Sequence, residues 1–154
     1  MNDIEYMKVA LNEARKAYQK NEVPVGAVLV INDVIVAKSH NKRQTHHDPL
    51  SHAEINVIRL ASKKLKRWIL DDATLYITLE PCLMCSGLIL QSRIKRVVFA
   101  ALQPKFGTAG STMDVLSDNP FNHQVSLTKG VLEEESQLLL KSFFQELRNT
   151  KQNV

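Results

Sequence analysis

The chain has 154 residues, 44% of them hydrophobic and 23% charged, with five Gly and five Pro. That is enough to bury about two thirds of the surface an unfolded chain of this size exposes, and the composition excludes collagen-like, low-complexity and disordered classes. The net charge of +4 mildly favours polyanions without demanding one.

The elements follow in chain order, and no repeat, linker or composition shift interrupts residues 1–154, so one domain is expected. The opening MNDIEYMKVALNEA has acids where a secretory signal needs positive charge, and no apolar run in the chain is long enough to span a bilayer. The expectation is a cytoplasmic chain with no membrane association, its thiols reduced. Residues 3–20 repeat Met7, Ala10, Leu11, Ala14, Ala17 and Tyr18 at helical spacing. Val23 to Ile31 is a β-branched run, and Asn32-Asp33 turns it into a second run, Val34 to Lys38, predicting a hairpin. Residues 40–50 read as a polar loop. Helical period returns from Ser51, a good N-cap, to Leu65. A strand over 73–80 leads into a helix over 82–91, with Pro81 suited to its first turn. A strand over 93–101, one helical turn at MDVL (113–116), a short strand over 124–128 and a helix over 132–147 complete the chain. This order predicts a three-layer α/β/α sandwich on a mixed five-stranded sheet.

The two cysteines, Cys82 and Cys85, stand in LEPCLMCSG. A pair this sparse builds no disulfide framework. At a helix start, thiols at i and i+3 face one side, and the helix dipole favours their thiolate, ligating form. Among the five histidines, His52 lies in SHAEI at another predicted helix start, with Glu54 two residues on. His52, Cys82 and Cys85 make three zinc ligands, and three protein ligands plus water is the catalytic form of a zinc site. An unligated carboxylate beside the metal, Glu54, then serves as proton carrier. The rival is a structural zinc that recruits His47 or His123 as fourth ligand, which leaves Glu54 without a role.

H-x-E followed by P-C-x-x-C is the signature of zinc-dependent nucleobase deaminases. The stretches NEVPVGAVLV, HDPLSHAEI, LYITLEPCLMCSGLILQSRIKRVVFAA, GSTMDVL, NHQVSL, KGVLEEE and LLLKSFF resemble the bacterial tRNA-specific adenosine deaminase family over roughly residues 3–148. The resemblance implies a cytidine-deaminase-like fold, a homodimer, one Zn2+ per subunit held by His52, Cys82 and Cys85, and tRNA as partner. It implies conversion of adenosine to inosine at wobble position 34, with a zinc-bound hydroxide attacking adenine C6 and Glu54 as proton shuttle. It also implies that Asn41 hydrogen-bonds the flipped-out base. Two positions depart from the family pattern: in FAALQPKFG, Ala100 replaces a glycine and Gln103 stands where an acid is common. For flanking phosphates, Lys42, Arg43 and Lys105 are the cations whose loops should border the site. The helix 84–94, apolar all round, suggests a partner chain. Two other readings share some of these features: a deaminase of free small bases, and a non-catalytic zinc-stabilised RNA-binding module.

Overall fold

The computed structural model describes residues 1–152. Helix α1 (Asp3–Gln19) opens on a reciprocal cap. The Glu5 N–H donates to Asn2 Oδ1 at 3.0 Å, and the Asn2 N–H donates to Glu5 Oε2 at 2.8 Å, which satisfies two otherwise orphaned donors. Strand β1 (Gly26–Ile31) begins at Gly26 rather than Val23, since Pro24 has no N–H for a ladder. A Cβ on Gly26 would run into the Ala10 carbonyl and the Ala14 nitrogen. The missing side chain is therefore what lets β1 lie so close to α1.

Asn32 and Asp33, at φ 49° and 61°, turn β1 into β2 (Val34–His40), the predicted hairpin, with a register shift at Leu29/Val30. β3 (Ala73–Leu79) pairs antiparallel with β1, β4 (Arg96–Ala101) pairs parallel with β3, and β5 (Ser126–Lys129) pairs parallel with β4. The sheet order is β2-β1-β3-β4-β5, the mixed five-stranded sheet that was expected. Side chains alternate across it. Ala27, Leu29, Leu75, Ile77, Val97 and Phe99 pack under α3 (Ala53–Leu65) and α4 (Leu83–Gln91). Val28, Val30, Tyr76, Val98 and Ala100 face α1 and the approach to α5 (Glu133–Gln152). Helices thus cover both faces.

Two ties set the terminal helices on the sheet. Arg96 holds the Asp3 carboxylate through two hydrogen bonds of 3.0 and 2.7 Å, and the Tyr76 hydroxyl donates to it at 2.7 Å. The Ser136 hydroxyl donates to the Thr78 carbonyl at 2.5 Å, docking α5 on β3.

Several predicted boundaries move. The polar loop over 40–50 gives up His40 to β2 and contains one helical turn, α2 (Arg43–His46). α2 forms because the buried Glu22 carboxylate accepts the Gln44 N–H at 3.0 Å, the Thr45 N–H at 2.7 Å and the Thr45 hydroxyl at 2.8 Å. MDVL is not helical: Asp114 makes an isolated bridge with Ala109, and its side chain takes the N–H groups of Leu116 and Ser117, an alternative to helical bonding that Asp commonly offers. β4 starts at Arg96 rather than residue 93, because Arg93 is left-handed at φ 63° in the turn out of α4. β5 is shifted to 126–129, and α5 runs past Leu147 to Gln152. No helix among the described residues is long and apolar enough to cross a membrane.

Candidate active site and metal centre

Because β1 runs antiparallel to both neighbours, β2 and β3 are parallel to each other, and β4 follows β3. The carboxyl ends of β2, β3 and β4 therefore share one edge, where ligands bind in open α/β sheets. α3 and α4 also start at that edge. Their N-caps are His52 and Cys82, both extended (ψ 154° and 176°), and neither uses its side chain for capping. The cap of α3 is thus His52 and not the predicted Ser51, whose hydroxyl bonds the Asn56 side chain at 3.1 Å. Pro81 precedes the α4 cap rather than occupying its first turn. At a cap the side chain leaves the helix axis, so His52 and Cys82 reach across to each other. His52 Nδ1 lies 3.8 Å from Cys82 Sγ and 3.4 Å from Cys85 Sγ.

All three donor atoms lie within 4.8 Å of one another. Tetrahedral zinc, with Zn–S of about 2.3 Å and Zn–N of about 2.0–2.1 Å, needs donors roughly 3.5–3.8 Å apart. The imidazole and the two sulfurs fit it. This is also the one such group of three or more among the described residues. His47 is the left-handed exposed cap of α2, and His123 Nε2 sits 2.8 Å from the Ile94 carbonyl oxygen. Neither joins the group, so a four-ligand structural site through them does not form.

The electrostatics suit a cation. The hydrogen bond from Cys85 lowers the Cys82 thiol to about 4, with His52 adding to the effect, and the same bond pushes Cys85 up. Its hydrogen bond with Cys82 raises His52 against the cost of burial. The cluster thus holds protons that a divalent ion displaces. Beside it, Glu54 is only 4% exposed. Burial raises its carboxyl above the usual range, while His52 and a hydrogen bond with Cys85 oppose that rise. Burial thus favours the protonated form of a carboxyl that lies beside the three donors, where it is placed to carry a proton.

A cavity of about 440 Å³ opens over this group, within the range of small-ligand sites. Asn41, Arg43, His52, Glu54 and Cys82 line it, with Phe106 and Phe144 as aromatic walls. Asn41 is buried; its amide donates to the Val23 carbonyl at 3.2 Å and accepts the Arg43 N–H at 3.1 Å. One amide hydrogen and one carbonyl lone pair remain uncommitted. Cys85 lies beneath, fully buried. Lys42 and Lys105 are not among the lining residues: Lys42 is half-buried with its N–H on the Ser51 carbonyl, and Lys105 is exposed beside Phe106.

Sequence reasoning missed Phe106, Phe144 and Glu80 as parts of this cavity. Phe144 reads as one more apolar position of its helix, and Phe106 lies in an aperiodic loop. Gln103, singled out for its departure from the family pattern, lines the cavity too. Ala100, the other departure, is buried in β4 on the α1 face, away from the cavity.

A family model described as MafB19-like deaminase matches residues 1–148. A tRNA-specific adenosine deaminase of Bacillus subtilis is 52% identical over 95% of this chain and 91% of its own length. One of Aquifex aeolicus is 44% identical over 94% and 95%. Among solved structures, one from a study of A-to-I editing by tRNA:A34 deaminases at the wobble position superposes with a TM-score of 0.85 at 40% identity, covering 88% of this chain and 99% of that one. A guanine deaminase of Bacillus subtilis gives 0.65 at 34% identity, covering 97% and 95%.

Proposed function

The chain belongs to the MafB19-like deaminase family, with tRNA-specific adenosine deaminases as relatives along nearly its whole length, and from that premise we propose that it deaminates adenosine to inosine at the wobble position of a tRNA anticodon. The observation that carries this reading is the donor triangle of His52, Cys82 and Cys85 beside a buried Glu54 at the floor of one cavity. Residues 1–154 act as one catalytic unit.

His52, Cys82 and Cys85 would hold one zinc ion per subunit. When bound, the ion supplies Lewis-acid activation of water at neutral pH. Glu54 takes a proton from the attacking water and delivers it to the adenine ring nitrogen, then takes the proton of the new C6 hydroxyl, as that oxygen becomes the carbonyl, and delivers it to the departing amino group. Water and adenosine thus become inosine and ammonia. Asn41 spends its uncommitted hydrogen and lone pair on the purine edge, and Phe106 and Phe144 offer faces on which bases stack. An anticodon base is already unpaired, so drawing it into the cavity costs little. Arg43 meets a phosphate at the rim, and Lys42 and Lys105 supply longer-range attraction to the RNA backbone.

The active form is a homodimer. Leu83 and Met84 on α4, with neighbouring Leu50, remain 59%, 37% and 43% exposed. Leu50, Met84 and the half-buried Leu88 line a shallow groove between α3 and α4 that a second copy covers. The enzyme works in the cytoplasm, where its substrate is.

The test is incubation with total bacterial tRNA followed by sequencing for A-to-G changes. Changes confined to position 34 are expected. Consumption of free guanine, cytosine or adenosine with tRNA left intact would replace this reading with a small-base deaminase.

A further inference from the structure

Glu80 lies outside the donor triangle and is not the proton carrier, yet it is buried to 2% exposure. Four donors take its two oxygens, and all come from the loop after β4. The Gln103 N–H (3.0 Å) and the Ser111 hydroxyl reach Oε1; the Ala109 N–H (2.9 Å) and the Ser111 N–H (3.0 Å) reach Oε2. The loop closes over the carboxylate so tightly that a Cβ on Gly107 would overlap it. Thr108 adds two bonds to the Pro81 carbonyl, from its N–H at 3.0 Å and its hydroxyl at 3.2 Å. The Glu80 N–H donates to the Ala101 carbonyl at 2.8 Å.

Only an ionised carboxylate matches this donor set. Each oxygen accepts two bonds, whereas a glutamine would turn an NH2 group toward two donors. The anchored loop carries Gln103 and Phe106, both on the cavity wall, and the anchoring residues, Glu80 and Pro81, run directly into Cys82. One short segment thus fixes both a metal donor and the wall opposite.

We propose that Glu80 is a positioning residue, whose carboxylate holds the Gln103–Phe106 wall in register with the His52, Cys82 and Cys85 triangle so that substrate RNA meets a preformed pocket. The inference rests on the reading above, in which the cavity takes a nucleotide of tRNA. Although Glu80 borders the cavity, both its oxygens are committed to the loop; its effect passes through that loop, which contacts nucleotides equally in ground and transition states.

The test compares Glu80→Gln with the parent enzyme loaded with zinc. Metal content is expected to stay at parent level, KM for tRNA to rise about tenfold and kcat to change by less than about threefold, the pattern of lost uniform binding. A second readout needs no activity: limited trypsin digestion at Lys105, on the loop, should accelerate about tenfold or more in the variant, because cleavage follows local opening, while cleavage at Lys16 and Lys63 keeps its rate. Parent-like KM and parent-like cleavage at Lys105 would overturn the proposal, as would loss of kcat and metal together at unchanged KM.

If Glu80→Gln does not fold, Gly107→Ala answers instead. Its added methyl should lower the melting temperature in the parent and cost nothing in a Glu80→Ala background, since the two changes compete for one space. A full penalty in both backgrounds overturns the clamp. A parent enzyme inactive on tRNA sinks the functional reading alone, with cleavage at Lys105 still deciding the clamp.

Discussion

Replacing Glu54 with Gln separates proton transfer from everything else the site does. The side chain is 4% exposed and the amide has nearly the same volume, so no cavity opens and the core does not relax. What disappears is a carrier of protons, a contribution worth about 10²–10⁴ in rate, or roughly 2.7–5.5 kcal/mol of barrier. The structure places the loss toward the upper end. The other acid on the cavity wall is Glu80, and its oxygens are committed to four donors, so no neighbour substitutes. The assay is single-turnover inosine formation on tRNA, run beside metal content and a thermal melt of the same preparation. The expectation is a rate about 10³–10⁴ lower with parent zinc stoichiometry and no fall in melting temperature. A rate within tenfold of the parent would mean that protons travel by another route. Zinc lost in proportion to activity would make Glu54 a ligand and refute the division of labour between it and the three donors.

Glu22→Ala strips α2 of three hydrogen bonds; the freed donors lie on an exposed turn and regain water, so the net cost is about 2 kcal/mol and the melting temperature falls by about 4–8 °C, whereas an unchanged melt would show that α2 holds itself. Burial keeps the His40 imidazole below its ordinary 6.5 in spite of Glu13 at 3.1 Å. The unfolded chain therefore binds the extra proton first, and this part of the stability is complete above pH about 6.5 and lost as pH falls below it. Melts at pH 7.5 and 5.5 should differ less in His40→Gln than in the parent, and equal differences would remove His40 from the account. Affinity for tRNA should fall steeply with added salt, and Arg43→Ala should reduce the log–log slope by about one; a flat salt dependence would exclude phosphate-led binding.

The alternation of strand and helix patterns made the sheet and its layers legible in the sequence, because period two and period 3.6 are local properties. The donor set was legible for a related reason: His52, Cys82 and Cys85 each fall where a helix begins, and proximity of two helix starts follows from their both succeeding parallel strands. Details of the caps were not legible. Ser51 is the better capping residue by propensity, yet its hydroxyl bonds Asn56 and leaves the cap to His52. A local side-chain bond to the opening of α3 itself overrode propensity there. Phe144 shows the limit most plainly. Its spacing matches that of Phe143, but Phe143 is buried against Tyr18 while Phe144 lines the cavity. That difference depends on where α5 crosses the sheet, fixed by Ser136 on the Thr78 carbonyl, a contact between positions 58 apart. Glu80 was hidden likewise, since nothing local reveals that a carboxylate ending a strand will collect four donors from a later loop.

The contribution of Phe144 to the cavity has a consequence for biosynthesis. His52, Glu54, Cys82 and Cys85 all precede α4's midpoint in the chain, whereas Phe144, on α5, leaves the ribosome only after all of them. The donor set is therefore synthesised before the wall that completes the cavity, and that side of the cavity closes only when α5 docks on the sheet.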